Sequence, residues 1–263
     1  MDVNAYLARI GETRLQAPDF TFLSRLVERH FYTVPFENLD IHLGRPIRLD
    51  PDAIYHKIVH RRRGGFCYEL NSAFGSLLHS LGFNVSYISG RVRTSSGGFG
   101  PEYDHMALLV GLEEEYLVDV GFGDSCRLPL PLSGERKKDI SGWYRIKPRS
   151  KQPGVFALEK KNGRRWSPEY LFTTRPRKLE DFACMCEIQQ TSPTSVFRQH
   201  LICTIATPGG RITVSDNHFT ITERGEKQKI PIQSANDREL IIRRWMGIDS
   251  RSQSLYSPVF PGS

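Results

Sequence analysis

The sequence predicts an α+β fold with an N-terminal helical bundle, a central antiparallel β-barrel-like domain and a C-terminal α/β lid over the site. Apolar residues recur at helical spacing through the first 82 residues, and short β-branched runs separated by turn residues follow from Asn84. After Pro193, two strand pairs with turn signals precede one closing helix. We expect the divisions to fall at 1–82, 83–190 and 191–263.

Two helices in the first sixty residues are predicted from their N-terminal caps. Asp19 can cap one helix, and Asp50-Pro51 places a cap before a proline at the first helical position of the next. Between them Val34–Asn38 is predicted to be a loop, because Pro35 disfavours helix at Val34. The first helix carries its apolar face on Phe22, Leu23, Leu26, Val27, His30 and Phe31.

A third helix begins next to a cysteine. Its apolar residues are Leu70, Ala73, Phe74, Leu77, Leu78 and Leu81, and Gly82 ends it. Cys67 lies at its start, directly after Gly64-Gly65-Phe66. Unpaired amides and the helix dipole favour an anion at that position, and the thiolate is the nucleophilic form of cysteine. A lone helical cysteine is nevertheless more often a small buried hydrophobe, so a nucleophile requires a base and an orienting acid.

Two neighbouring strands supply candidates for that base and acid. Tyr103–Val110 contains His105, and Tyr116–Gly123 contains Asp119 between two valines. A hairpin centred near Leu112 would place His105 opposite Asp119, whereas a slip of one residue would send them to opposite faces. Sequence alone leaves this register open. Cys67, His105 and Asp119 are thus the residue types of a triad that activates a thiol: a nucleophile, a base and a carboxylate that orients the base.

The positive charge of the chain is concentrated in one stretch. Between Glu135 and Lys178 fourteen Lys or Arg stand against four acids, a net charge of +10, whereas the whole chain carries +7. The turn signal Asn162-Gly163 and strand-like runs predict an antiparallel sheet there. This basic surface is interpreted as a solvated sheet or as a field that steers an anionic cofactor. The alternative outside the enzymes is a basic module that binds nucleic acid.

Metal binding and export are not expected. The histidines, including His56 and His60 one turn apart, lack the further ligands of a known zinc pattern. Cys184-Met185-Cys186 is predicted to be a strand with both thiols on one face. An odd count of five cysteines, and an N-terminus without a basic region followed by an apolar run, favour a reducing cytoplasm. No apolar run is long enough to span a membrane.

Several segments together resemble the signatures of the arylamine N-acetyltransferase family, in that family's order, and of its bacterial type. They are Val34–Leu39, Arg63–Asn71, His105-Met106, Val118–Gly123 and Ser192–Phe197. The resemblance covers the chain from about Tyr6 to the mid-200s. It implies a Cys–His–Asp triad at Cys67, His105 and Asp119, and the cysteine-protease-like version of the fold. It also favours a buried pair between Glu37 and Arg63.

The resemblance implies transfer of an acetyl group from acetyl-coenzyme A to an arylamine or arylhydrazine through an acetyl-cysteine, and O-acetylation of N-hydroxyarylamines. A family likeness and the flexible Thr94–Pro101 segment assign coenzyme A contacts to Gly97, Gly98, Phe99, Gly100 and Gly123. The aromatic acceptor pocket is assigned to Phe36, Phe122 and Phe197. A cysteine hydrolase or a transglutaminase-like enzyme with the same triad is the alternative.

The expected partners follow from this activity. They are coenzyme A and a small aromatic amine, with no nucleic acid, membrane or metal. The chain is expected to be a monomer or weak homodimer, with residues 250–263 as a loosely held end.

Overall fold

The computed structural model describes residues 1–249, so the predicted loose end lies outside the described residues. Before the first long strand the chain forms helices α1 Val3–Arg9, α2 Phe20–Thr33, α3 Leu39–His42, α4 Pro51–Tyr55 and α5 Cys67–Ser80. A single π-helical stretch, His56–His60, extends α4. Among these, α5 is the most buried, because every residue from Cys67 to Gly75 is buried.

Both predicted caps are confirmed. The Asp19 carboxylate accepts a hydrogen bond from the Phe22 amide at 2.7 Å, and that of Asp50 from the Ala53 amide at 2.7 Å. Each cap satisfies an amide that the helix leaves unpaired. These caps fix where α2 and α4 begin.

The prediction that Val34–Asn38 is entirely a loop is wrong. Phe36–Glu37 form strand β1, which pairs with Thr204 and Cys203 more than 160 residues later. The Glu37 amide also donates to the Gly65 carbonyl at 2.9 Å. Two residues are too few for a periodic pattern, so the strand is visible only through its distant partner.

Within residues 1–249 the central sheet has eight antiparallel strands in the order β5-β4-β3-β2-β9-β8-β7-β6. Its two ends approach each other where β5 packs on β7, so the sheet is a nearly closed barrel. A separate cluster of buried side chains, including Tyr144, Leu158 and Tyr170, fills it. The strands are β2 Asn84–Val92, β3 His105–Gly111, β4 Glu115–Val118, β5 Leu130–Pro131, β6 Lys137–Asp139, β7 Gly142–Pro148, β8 Val155–Asn162 and β9 Arg165–Thr173.

The structure settles the register of the β3–β4 hairpin, which the sequence left open between a turn centred near Leu112 and a shifted one. The turn is centred on Glu113, because Gly111 pairs with Glu115 and Leu108 with Val118. Continuing that pairing would put Asp119 opposite Ala107, two residues from His105. A shift of two residues preserves the face, so His105 and Asp119 are diagonal neighbours on one side of the sheet.

Cys184-Met185-Cys186 is not a strand. A 3₁₀ turn, Leu179–Phe182, leads into helix α6, Ala183–Thr191, which contains both cysteines. The Asp181 carboxylate caps this 3₁₀ turn by accepting a hydrogen bond from the Lys178 amide at 2.8 Å. Residues two apart on a helix point in different directions, so Cys186 is buried while Cys184 is exposed.

The last third of the chain covers the region of the active-site candidates with a second sheet, as expected for a lid. After α7, Val196–Gln199, come strands β10 Ile202–Thr207, β11 Gly210–Ser215, β12 His218–Glu223 and β13 Glu226–Pro231. They extend from β1 in sequence order, and helix α8, Ala235–Met246, packs on them through Ile242 and Met246. No helix in the part of the chain that the structure describes could span a membrane.

Candidate active site

Cys67 is the first residue of α5 and is 3% exposed. Phe66 before it has an extended backbone, and its amide donates to the Glu69 carboxylate at 3.2 Å. The first amides of an α-helix have no partner inside the helix. The thiol therefore lies beside backbone donors that can stabilise negative charge.

His105 connects the thiol to a carboxylate. Its Nε2 atom lies 2.7 Å from Asp119 Oδ2, and both side chains are almost fully buried. The Cys67 thiol is close enough to the imidazole to help raise the pKa of His105. Since Nε2 serves Asp119, Nδ1 is the ring nitrogen left for the thiol. The three predicted catalytic residues thus lie together in one chain of contacts.

Four donors surround the Asp119 carboxylate. Oδ2 accepts from His105 and from the Tyr170 hydroxyl at 2.9 Å. Oδ1 accepts from Asn71 Nδ2 and from the Gly121 amide, each at 3.0 Å. Buried carboxylates persist in ionised form only when their oxygens are satisfied in this way. These contacts hold Asp119 at one position relative to the imidazole.

The pKa values of the pair move in opposite directions. Burial alone would lower the pKa of His105, but the charge of Asp119 and the hydrogen bonds to Asp119 and Cys67 raise it well above the ordinary value. Burial would raise the pKa of Asp119, but the His105 charge and the donors around it lower that pKa. Both shifts favour an imidazolium next to a carboxylate, which is the state in which His105 holds the thiol proton.

Close approach of the backbone behind the nucleophile requires glycine at position 121. A Cβ atom there would lie 2.8 Å from Cys67 Cα and 2.6 Å from Asn71 Nδ2. The turn after β4 therefore packs directly on the start of α5. This contact brings the turn that carries Asp119 to the helix that carries the nucleophile.

A buried ionic cluster supports α5 from below. Arg63 and Glu37 form a pair at 2.7 Å with both side chains at most 1% exposed, which confirms the predicted pairing. Lys57 bridges Asp40 and Glu69, each at 2.7 Å. Burial raises the pKa of Glu69 despite the Lys57 charge, whereas Lys57 and Arg63 outweigh burial and lower that of Asp40. The cluster holds in place the two glycines and the helix start before Cys67.

The reacting groups face a cleft of about 390 Å³. Cys67 and His105 line it, and so do the three predicted pocket aromatics Phe36, Phe122 and Phe197. The Phe122 ring packs against His105 at 5.1 Å between centroids, and Phe36 against Phe197 at 6.1 Å. Apolar walls with a few convergent polar groups are typical of small-molecule sites.

The predicted coenzyme A contacts separate into two groups. Gly123 lines the cleft, but Gly97, Gly98, Phe99 and Gly100 do not belong to its lining. They form a turn in which the Gly97 amide donates to Thr94 O at 3.0 Å and the Gly100 amide to Val92 O at 2.8 Å. Two of the amides expected to hold a phosphate are thus used inside the loop, and the assignment stays a prediction.

Several side chains at the site were not given roles from the sequence. Asn71 could have been found, because it follows Cys67 by four residues and lies on the same helix face. Asp104 lines the cleft next to His105 and accepts from Gln189 at 2.8 Å; burial raises its pKa. Tyr170 and Arg211 lie far along the chain, and no local pattern marks them. No group of three or more metal-ligating residues occurs within residues 1–249.

Comparison with known proteins gives consistent matches. A model of the N-acetyltransferase family matches residues 19–254. An arylamine N-acetyltransferase of Mycolicibacterium smegmatis is 35% identical over 95% of this chain and 92% of that protein. An arylamine N-acetyltransferase / N-hydroxyarylamine O-acetyltransferase of Salmonella typhimurium is 34% identical, over 85% and 80%. The structure of the Mycobacterium marinum arylamine N-acetyltransferase in complex with CoA superposes with a TM-score of 0.87 at 30% identity, covering 95% and 94%.

Proposed function

Because this chain belongs to the arylamine N-acetyltransferase family, we propose that it moves an acetyl group from acetyl-coenzyme A to an arylamine or arylhydrazine by a ping-pong mechanism. The observation that carries the proposal is the buried chain of contacts from Cys67 through His105 to Asp119, opening on an aromatic-lined cleft. The Salmonella relative's second printed activity supports O-acetylation of N-hydroxyarylamines as a further reaction.

In the first half-reaction Cys67 is the nucleophile. His105 holds the thiol proton, and the thiolate attacks the carbonyl carbon of the thioester. Backbone amides at the start of α5 stabilise the resulting oxyanion. The carbon–sulfur bond to coenzyme A then breaks, the departing sulfur takes up the proton from His105, and Cys67 is left as an acetyl thioester.

In the second half-reaction the acceptor occupies the cleft that coenzyme A has left. Its aromatic ring packs among Phe36, Phe122 and Phe197, and its nitrogen attacks the acetyl-cysteine. His105 takes the proton of the nitrogen, Asp119 stabilises the imidazolium, and the Cys67 thiolate is released. Donor and acceptor thus use one cleft in turn.

Coenzyme A is proposed as a co-substrate that reaches this cleft from outside. The family's CoA complex with the same fold supports it. The basic stretch on β6–β9 would raise the local concentration of such an anion. We also propose that the protein works in a reducing, cytoplasmic setting, because none of its five cysteines is paired.

Intact-protein mass spectrometry after mixing with acetyl-coenzyme A and no acceptor tests the proposal. One acetyl group is expected, located on Cys67 and discharged by an aromatic amine to give the N-acetyl product. Cys67→Ser should take up none, while the exposed Cys184→Ser is a matched control and should take up one. Consumption of the donor at the same rate with and without amine would refute the transferase and favour the cysteine hydrolase.

A further inference from the structure

A second cavity, of about 490 Å³, lies at the opposite end of α5 from Cys67. The last turns of α5, the first half of β2 and the linker between β9 and α6 enclose it. Within residues 1–249 its lining shares no residue with the lining of the active-site cleft. The proposed acetyl transfer therefore gives this cavity no role.

The lining of this second cavity is cationic. Arg177 and Lys178 carry positive charges, and His79 is a third group that can accept a proton. Ser80 and Ser86 add hydroxyl groups, and none of the lining residues in the described part of the chain is acidic. Cations together with hydroxyl donors are the groups that bind phosphate in proteins.

Arg177 has hydrogen-bonding capacity in reserve. Its side chain is 14% exposed, and its only printed ion pair within residues 1–249 joins Nη2 to the half-exposed Glu102 carboxylate at 3.5 Å. Its Nε is buried and has no hydrogen-bond partner in that part of the chain. The backbone holds the residue in place, because the Arg177 amide donates to the Tyr87 carbonyl at 2.9 Å. A guanidinium has five N–H donors, so this long pair leaves donors for an anion.

The cavity also has an apolar wall. Val85 and Tyr87 line it beside Gly75. A Cβ atom on Gly75 would lie 2.9 Å from Tyr87 Cε1, so glycine is required for this ring to lie against α5. The volume is in the range of cavities that hold small organic ligands, and an aromatic wall suits a ligand with an apolar part.

Arg177 connects this cavity to the strand that carries His105. Its guanidinium carbon lies 5.2 Å from the centroid of the Tyr103 ring, two residues before His105. Tyr103 has a φ of 66°, in the left-handed region that residues other than glycine rarely adopt. Its amide donates to Ser89 Oγ at 2.7 Å, and the Tyr68 hydroxyl donates to its carbonyl at 2.8 Å. Such strain persists only where the surroundings enforce it, so removing the Arg177 contact would let this segment relax.

We propose that the second cavity is a regulatory site for a phosphorylated small molecule with an apolar part, whose phosphate group is bound by Arg177 and Lys178. The phosphate draws Arg177 away from Tyr103, the segment before His105 relaxes, and the reactivity of the Cys67 thiol falls. This goes beyond the proposed acetyl transfer and does not depend on it, because the change is in the thiol itself.

The rate of alkylation of Cys67 by iodoacetamide, followed by peptide mass spectrometry, tests the proposal without acetyl-coenzyme A. The probes are phenyl phosphate and inorganic phosphate, each compared with chloride at equal ionic strength. Saturating phenyl phosphate should slow alkylation of Cys67 by about fivefold or more, the lower end of allosteric coupling. The exposed Cys184 is the internal control and should react at an unchanged rate.

Variants of the linker assign the effect to this cavity. Arg177→Met and Lys178→Met should each reduce the slowing to less than about twofold, and Arg177→Lys should keep part of it. Arg175→Met removes an exposed charge from the same linker outside the lining, so it is the matched control and should respond as the parent does. Since the Lys178 side chain is exposed, Lys178→Met tests the site even if Arg177→Met does not fold.

Three results would overturn the proposal. Equal slowing in the parent, Arg177→Met and Lys178→Met would place the phosphate elsewhere, such as in the cleft. Unchanged alkylation of Cys67 at saturating phenyl phosphate would show that the cavity does not act on the thiol. Phenyl phosphate should act at concentrations about tenfold lower than inorganic phosphate, because its ring packs on the apolar wall; equal midpoints would assign the site to free phosphate instead. A parent that responds as expected but acetylates no arylamine would refute the proposed function and leave this site standing.

Discussion

His30 on α2 predicts a specific loss of stability in mild acid. The ring is fully buried between Tyr6 and Phe74. Its Nε2 atom has the Tyr6 hydroxyl as partner at 3.2 Å, and its Nδ1 atom has none within residues 1–249. Burial, and then the charge of Arg9, lower the pKa of His30 to about 3. In the unfolded chain a histidine titrates near its ordinary value of about 6.5. The folded protein therefore excludes a proton that the unfolded chain binds once the pH falls below about 6.5.

The size of the effect follows from the two pKa values. Each pH unit below 6.5 shifts the unfolding equilibrium by about 1.4 kcal/mol until the pKa of the folded state is reached. His30 should thus remove about 2 kcal/mol from the free energy of unfolding between pH 7.5 and pH 5, and about 3 kcal/mol by pH 4. His105 acts with the opposite sign, because its raised pKa adds stability as the pH falls towards 6.5. The effect of His30 must therefore be measured as a difference between variants.

The contribution of His30 to the free energy of unfolding is isolated by urea unfolding of the parent and of His30→Gln from pH 7.5 to pH 4.5. Glutamine keeps a polar partner for Tyr6 and does not titrate, so the two stability curves should converge by about 2 kcal/mol between pH 7.5 and pH 5. His79→Gln, at the exposed end of α5, is the control and should follow the parent. Curves for the parent and His30→Gln that stay parallel would refute the claim that His30 is neutral in the folded protein.

Three further predictions concern the site. Asp119→Asn should lower kcat/KM for acetyl transfer by about 10⁴-fold with little change in fold, because the imidazolium loses its counter-charge. Steady-state kinetics would measure the loss, and circular dichroism would check the fold. A loss below tenfold would contradict the role of Asp119 in stabilising the imidazolium. Gly121→Ala should slow acetylation of Cys67 by acetyl-coenzyme A, because the new Cβ would lie 2.8 Å from Cys67 Cα; a parent-like single-turnover rate would show that the contact is not needed. Arg63→Met should lower the free energy of unfolding by about 3–5 kcal/mol, because it leaves Glu37 buried without its pair; urea titration measures this, and a loss under 1 kcal/mol would show that the cluster readjusts.

Local patterns predicted the features of the site that depend on local physics. The spacing of apolar residues located α5, and the glycines before it placed Cys67 at the helix start. The sequence placed His105 and Asp119 on two neighbouring strands but left their register open; in the structure the turn is centred on Glu113, one residue after Leu112. Moving the centre by one residue shifts the pairing by two, so both side chains remain on one face of the sheet.

Features that depend on distant contacts could not be predicted in this way. Tyr170 reaches Asp119 from β9, fifty-one residues later, and β1 exists only because β10 pairs with it. Cys184 and Cys186 showed an alternating pattern that suits a strand, but the preceding turn and its cap start a helix instead. For Tyr170 and β1 the deciding partner lies outside the window in which periodicity has meaning, whereas for the two cysteines the window was too short to include the turn before them.

The pairing of β1 with β10 also bears on the order in which parts of the active site form during synthesis of the chain. Asn38, next to β1, donates to the carbonyls of Phe197 and His200 at 2.9 and 2.8 Å and accepts from the Ile202 amide at 2.8 Å. The support beneath Cys67 therefore requires backbone groups that leave the ribosome some 160 residues after Glu37. Such long-range pairing is slow to form. We therefore expect a nascent chain to build α5 early and to complete the support beneath Cys67 only after its last third has emerged.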